Sequence, residues 1–174
     1  MNQFILGQAL GAMMMVSFFL MAPGCISHVS ATRNLVKKYH TTYGVAKLPP
    51  SWERKSFRGA DLFFQHKNSD AMIFLNSQCE KVSDSPLQAL LSQMLVGMGK
   101  YDIVSEQLLN LADREALIAD VNVRLDGVFR YLKIMVLRKN RCVFDAVLSA
   151  SNFDQNLVND YDEMIKSFCA EADL

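Results

Sequence analysis

With 174 residues, the chain is long enough to bury one real core and too short for two comfortable domains. Its 18 basic and 18 acidic side chains cancel overall, yet residues 1–24 carry none, 25–47 hold only Arg33, Lys37, Lys38 and Lys47, and the remainder is acidic by four charges. A nucleic-acid binder needs basic charge concentrated on its folded domain to neutralise phosphates, so that class is excluded.

Residues 4–21 form an apolar run followed by Ala22-Pro23-Gly24-Cys25. Small residues ahead of a cysteine resemble the lipobox of a bacterial lipoprotein signal peptide. The resemblance implies a leader over 1–24, acylation of Cys25 (a palmitate-type modification), and a lipid-anchored domain in the periplasm of a bacterial cell envelope. Two or more acyl chains, at about 0.8 kcal/mol per buried CH₂, hold a protein on a membrane where one chain is marginal. Two alternatives stay open. The run is just long enough to span a bilayer as an uncleaved anchor, and the positive-inside bias would then place the basic stem and the domain in the cytoplasm. Simple secretion after cleavage is the other.

Residues 25–47 show neither a sustained apolar face nor an alternating one, and read as a basic tether. Leu48-Pro49-Pro50 ends it, since each proline fixes its own φ and biases the preceding residue toward extended backbone. The single domain is expected over 48–174. Alternation from Trp52 to Phe57 gives a short edge strand broken at Gly59. Residues 61–65 and 71–77 read as a hairpin across Lys67-Asn68-Ser69-Asp70, whose side chains can bond nearby backbone.

After Cys79 the period changes from two to 3.6. Ser85-Pro86-Leu87-Gln88 predicts a helix start with Ser85 as cap and Gln88 closing a capping box. Leu87, Leu90, Leu91, Met94, Leu95 and Met98 then form one stripe that must bury itself, with Gly97 and Gly99 ending the helix. Residues 103–111 read as an irregular strand. A three-strand antiparallel meander over 117–149 follows. Leu117, Ala119, Val121, Val123 and Leu125 face one way and Ile118, Asp120, Asn122 and Arg124 the other. Asp126-Gly127 supplies one turn, and Arg138-Lys139-Asn140-Arg141 a four-residue second connection. A second helix is expected from Asn152, burying Leu157, Tyr161, Ile165 and Phe168 and leaving Asp154, Asp160, Asp162 and Glu163 outside.

Taken together, Leu48-Pro49-Pro50-Ser51-Trp52, the Ala60-Asp61-Leu62 strand, the helix from Ser85, Arg141-Cys142-Val143-Phe144-Asp145 and the terminal helix closing on Ser167-Phe168 resemble the Mog1/PsbP-like fold. Bacterial lipoproteins of unknown role are the relatives in view. The resemblance implies an α+β architecture: a central antiparallel sheet flanked by helices as an α/β/α sandwich. Members serve as photosystem subunits, small-GTPase partners or periplasmic lipoproteins, so the fold does not settle the function.

Chemistry is sparse. Gly97-Met98-Gly99-Lys100 lacks the earlier glycine and the Ser or Thr of a phosphate loop. His28, His40 and His66 have no second ligand at metal spacing, and no nucleophile elbow occurs. No catalytic residue, metal or cofactor is expected, and the protein is expected not to be an enzyme. Cys79 and Cys142 each end a strand of one sheet and are the preferred disulfide; Cys169 is an alternative partner, and three free thiols the alternative state. Met72, Met94, Met98 and Met135 either line a ligand pocket between helix and sheet or are simply core. Arg138, Lys139 and Arg141 form a candidate partner contact. The expected role is an accessory or interaction module of a membrane complex, tethered by its N-terminal lipid, with the protein partner unidentified; the alternative is a periplasmic small-molecule or lipid-binding protein.

Overall fold

The computed structural model describes residues 34–79 and 85–172. The leader, Cys25 and the first part of the stem lie outside them. Ten strands and two helices follow in the order β1 (Leu35–Lys38), β2 (Thr41–Val45), β3 (Trp52–Lys55), β4 (Leu62–His66), β5 (Met72–Cys79), α1 (Leu87–Leu95), β6 (Lys100–Leu111), β7 (Arg114–Leu125), β8 (Val128–Lys139), β9 (Cys142–Ala150), α2 (Gln155–Lys166) and β10 (Phe168–Ala172). Two antiparallel sheets result, β1-β2-β10 and β3-β4-β5-β9-β8-β7-β6.

The meander is built on two-residue turns. Ala112-Asp113, Asp126-Gly127 and Asn140-Arg141 all have positive φ at both positions, the backbone that matches the right-handed twist of flanking strands. The connection expected to span four residues from Arg138 is therefore two residues long: β8 continues to Lys139 and pairs there with Cys142. The strand expected to be irregular is 12 residues long, with one shift in register between Ile103 and Ser105. It is the sheet's edge, and exposes Ile103, Val104, Leu108 and Leu109.

The two faces of the large sheet bury different partners. On one, Leu117, Ala119, Val121 and Val123 of β7 and Leu132, Ile134 and Val136 of β8 receive Leu90, Leu91 and Leu95 of α1, as the stripe requires. On the other, Ile118, Met135, Phe144, Ala146 and Leu148 pack under Tyr161, Met164 and Ile165 of α2 together with Tyr43, Val45, Phe168 and Ala170 of the small sheet. The architecture is thus mostly antiparallel sheet with two helices, and the expected helix-flanked sandwich is only partly realised. One face is shared between a helix and a second sheet, and the nine-residue α1 is too short to cover the other.

Several boundaries move. The tether expected over 25–47 folds from residue 35 onward, because Tyr43 and Val45 are fully buried and the Tyr43 ring packs 5.0 Å from that of Phe144. Gly44, with φ 152°, makes this hairpin close: a Cβ there would stand 2.0 Å from the Asn34 carbonyl oxygen. Pro86 takes the capping position of α1 and no side-chain cap bond forms, since proline sits extended there and shifts the start by one residue. The second helix begins after Asp154, whose carboxylate accepts from the Asn156 N–H. Phe168 lies on β10 instead of the helix face; Ser167 stops the helix, its hydroxyl donating to the Met164 carbonyl at 2.7 Å.

Cys79 and Cys142 are register partners of β5 and β9 and are joined by a disulfide, 63 residues apart in sequence. No cysteine among the described residues is a free thiol, which removes the reading of three buried thiols. Loop closure of that length contributes about 4 kcal/mol in the chain-entropy model. Replacing both cysteines by alanine should lower the urea midpoint by the equivalent of about that amount; an unchanged midpoint would show that the cross-link does not constrain the unfolded chain.

Candidate functional site

Because α1 packs mainly on β7 and β8, part of the same face is left open over β5 and β9. The register aligns Met72 with Ser149 and Leu132, and Phe74 with Val147 and Ile134, so a floor of apolar side chains runs beside the helix. Met94 and Met98 of α1 form one wall. Phe57 forms the other, its ring 5.2 Å from Phe63 and 5.7 Å from Phe74. It can fold there because residue 59 is glycine: a Cβ would lie 2.7 Å from the ring. The resulting groove encloses about 740 Å³, within the usual range of about 300–1,000 Å³ for small-molecule sites. Met72, Met94 and Met98 line it, the pocket role being one of the two that the methionines left open; Met135 does not, because it points to the opposite face and is fully buried.

The groove has two polar ends. At the β7–β8 end, Arg130 donates through Nε to the Ser149 hydroxyl at 3.2 Å and through Nη1 to Asp70, while its Nη2 is buried without a hydrogen-bond partner. At the other end Asn76 donates to Asp145 at 3.2 Å. Burial pushes the Asp145 carboxyl above the usual carboxylate range, and the Asn76 bond offsets this only in part.

Behind that end stands a denser polar cluster. Lys38 Nζ donates to both Asp61 oxygens at 2.9 and 2.8 Å and to the Ser77 carbonyl at 2.8 Å. The Tyr43 hydroxyl and the Ser77 N–H also donate to Asp61. Burial alone would raise the Asp61 carboxyl, but Lys38, Tyr43 and Ser77 together hold it below its ordinary value; the Tyr43 hydroxyl is pushed up by burial and by Asp61. On the opposite side of the fold Lys133, 5 % exposed, lies 3.2 Å from Asp162 and 3.8 Å from Asp120, and Asp120 accepts from Tyr131 and Ser105. Asp160, expected on an outer acidic face, accepts from the Ser51 hydroxyl at 2.6 Å and the Trp52 indole N–H at 2.9 Å. These acids tie elements together.

The predicted partner contact is split. Lys139 donates to the Ala112 carbonyl at 2.8 Å and Arg138 to the Ser85 carbonyl at 3.4 Å, whereas Arg141 sits in the exposed turn. Arg138 is also eight residues along β8 from Arg130, about 26 Å away, so the tip and the groove are separate surfaces. Arg130 has no signal of its own in the sequence, and Asp70 reads there only as a turn residue; the register sets Leu132 opposite Ser149, with Arg130 two residues along the same strand. Among the described residues no group of three or more His, Cys, Asp or Glu side chains is placed to hold a metal ion, and no helix is long and apolar enough to cross a membrane.

No family model matches the chain, and no curated protein does. Solved structures do. LpqN of Mycobacterium tuberculosis, described as involved in cell envelope biogenesis, superposes with a TM-score of 0.53 at 14% identity, over 75% of this chain and 83% of its own. Cyanobacterial PsbP (CyanoP) from Synechocystis gives 0.54 at 10% identity, over 87% and 99%. A Pseudomonas aeruginosa protein of unknown function gives 0.52 at 11% identity, over 76% and 93%. The fold is PsbP/Mog1-like. At such identities the likeness is one of fold.

The Asp61 cluster has a signed pH consequence. Its carboxyl binds a proton more weakly when folded than when unfolded, so the stability it confers is fully present above the unfolded value of about 3.9 and is lost as pH falls through the folded value. Asp61→Asn should lower stability at neutral pH and flatten the decline below about pH 4. Urea titrations at several pH values read this; parallel acid limbs in wild type and variant would contradict it.

Proposed function

We propose that the chain is a non-enzymatic, membrane-tethered envelope lipoprotein whose domain acts as an accessory or interaction module of a membrane complex. The observation that carries the reading is the Cys79–Cys142 cross-link, because disulfides persist in oxidising compartments and are rare in the cytosol. It favours a periplasmic domain over the cytoplasmic one that an uncleaved anchor implies. Fold likeness to LpqN, described as involved in cell envelope biogenesis, and to cyanobacterial PsbP supports the same kind of role. Arg141 is the exposed cation of the hairpin tip, and Arg141→Glu is the cleanest test of a partner contact there, since reversing Arg138 or Lys139 would also break internal bonds. The second reading, a small-molecule or lipid-binding periplasmic protein, is favoured by the groove beside α1.

Growth with an alkyne-tagged palmitate should label the wild type and not Cys25→Ser, and only the wild type should stay in the membrane fraction. An unlabelled wild type whose Cys25→Ser form remains equally membrane-bound would overturn the lipid anchor. Non-reducing peptide mapping of the same samples identifies the partner of Cys169, which is itself disulfide-bonded.

A further inference from the structure

We infer that the groove beside α1 takes a single acyl chain bearing a carboxylate, with the chain over Met72, Phe74, Leu132 and Val147 and the carboxylate at Arg130. The inference rests on the second reading above and names its ligand. Three observations select this chemistry.

The floor is the face of a sheet whose strands β5, β9 and β8 are hydrogen-bonded to one another on both sides. It therefore offers no free backbone groups. A peptide laid along it would leave its own amides unsatisfied against methionine, phenylalanine and valine, which is costly; an acyl chain has no such groups. The methionine wall is flexible and polarisable, and adapts to an unbranched chain.

The ends are chemically unlike. Ser149 and Asp145 lie four residues apart on β9, so the polar termini of the groove are about 13 Å apart. At one stands the Arg130 guanidinium, with one nitrogen on Ser149, one on Asp70 and Nη2 lacking an acceptor. Nη2 has no accessible surface as it stands, so a carboxylate, which offers two oxygens to a guanidinium in a fixed fork, reaches it only by taking the place of Asp70. Asp70 is half exposed and is the group an incoming carboxylate would displace. At the other end stands Asp145, which an anion would avoid and an apolar chain end would not. Charge complementarity therefore orients the ligand with its head at β8.

The volume of about 740 Å³ is that of one modest ligand, which favours a single-chain carboxylate over a diacyl phospholipid. Photoactivatable diazirine analogues of dodecanoate, dodecanol and dodecylamine, and a diacyl phosphatidic acid carrying the same group, can be added to the full chain in its own membranes. Dodecanoate is expected to label groove peptides containing Met72, Met94 or Val147 about tenfold more than dodecylamine. Arg130→Gln should abolish that preference without lowering dodecanol labelling, and Asp70→Asn, which frees the guanidinium, should raise dodecanoate labelling. Val147→Trp, which fills the floor, should remove labelling by every probe, with near-UV circular dichroism confirming that each variant is folded. Groove labelling that is equal for all three head groups and indifferent to Arg130→Gln would overturn the carboxylate and leave a ligand-binding groove. Preferential labelling by the diacyl lipid would overturn the single chain. No groove labelling by any probe would overturn both this inference and the ligand-binding reading.

Discussion

The register of β5, β9, β8 and β7 is the constraint on which the rest of the molecule depends. A strand presents successive side chains to opposite faces, so a slip of one residue would exchange the two faces entirely. Lys133 would leave its two aspartates for the leucines of α1, and Tyr161 would lose the Ala146 carbonyl it donates to at 2.9 Å. Two-residue turns with positive φ leave no slack for such a slip, and the Cys79–Cys142 bond locks the β5–β9 pair at its last rung.

Within that frame, charged side chains join elements that apolar packing alone would leave loosely oriented. Asp61 gathers donors from β1, β2 and β5 and so binds the small sheet to the large one. Asp160 fastens α2 to the start of β3, and Lys133 links β8 to β7 and α2. Each pair is partly or wholly desolvated, which makes loss of one partner expensive while adding geometric selectivity to the fold. Arg130 differs, because its guanidinium is not fully matched by protein acceptors.

Much of this was legible in the residues. Alternation in 117–125, Asp126-Gly127 and the leucine stripe of α1 are local patterns, and they placed the meander, its inward face and the helix upon it. The Cys79–Cys142 pair followed from reading both as strand ends. The resemblance carried by short cues gave the fold, though not its layering. What escaped was non-local. Thr41, Tyr43 and Val45 alternate over too few residues to stand out from a basic linker, and their burial depends on β10, a strand near the other end of the chain. At Ala112-Asp113 the turn signal is half present, because aspartate tolerates positive φ whereas alanine gives no hint of it. The acids of α2 look solvated on a helical wheel, and only tertiary neighbours reveal Ser51, Trp52 and Lys133 beneath them. The groove itself is a place where a short helix fails to cover a wide sheet, a property of relative dimensions that no single residue encodes.

The small sheet carries a further consequence for how the molecule is made. Its central strand, β2, lies between β1 and β10, so a strand that comes early among the described residues is completed by one far downstream in sequence. Until β10 arrives, Tyr43 and Val45 have no outer neighbour and Phe144 lacks half its cover. Contacts of such wide sequence separation are slow to form. The small sheet therefore closes only when β10 reaches β2, and until then β2 presents an unpaired β-edge of the kind that invites pairing with another chain.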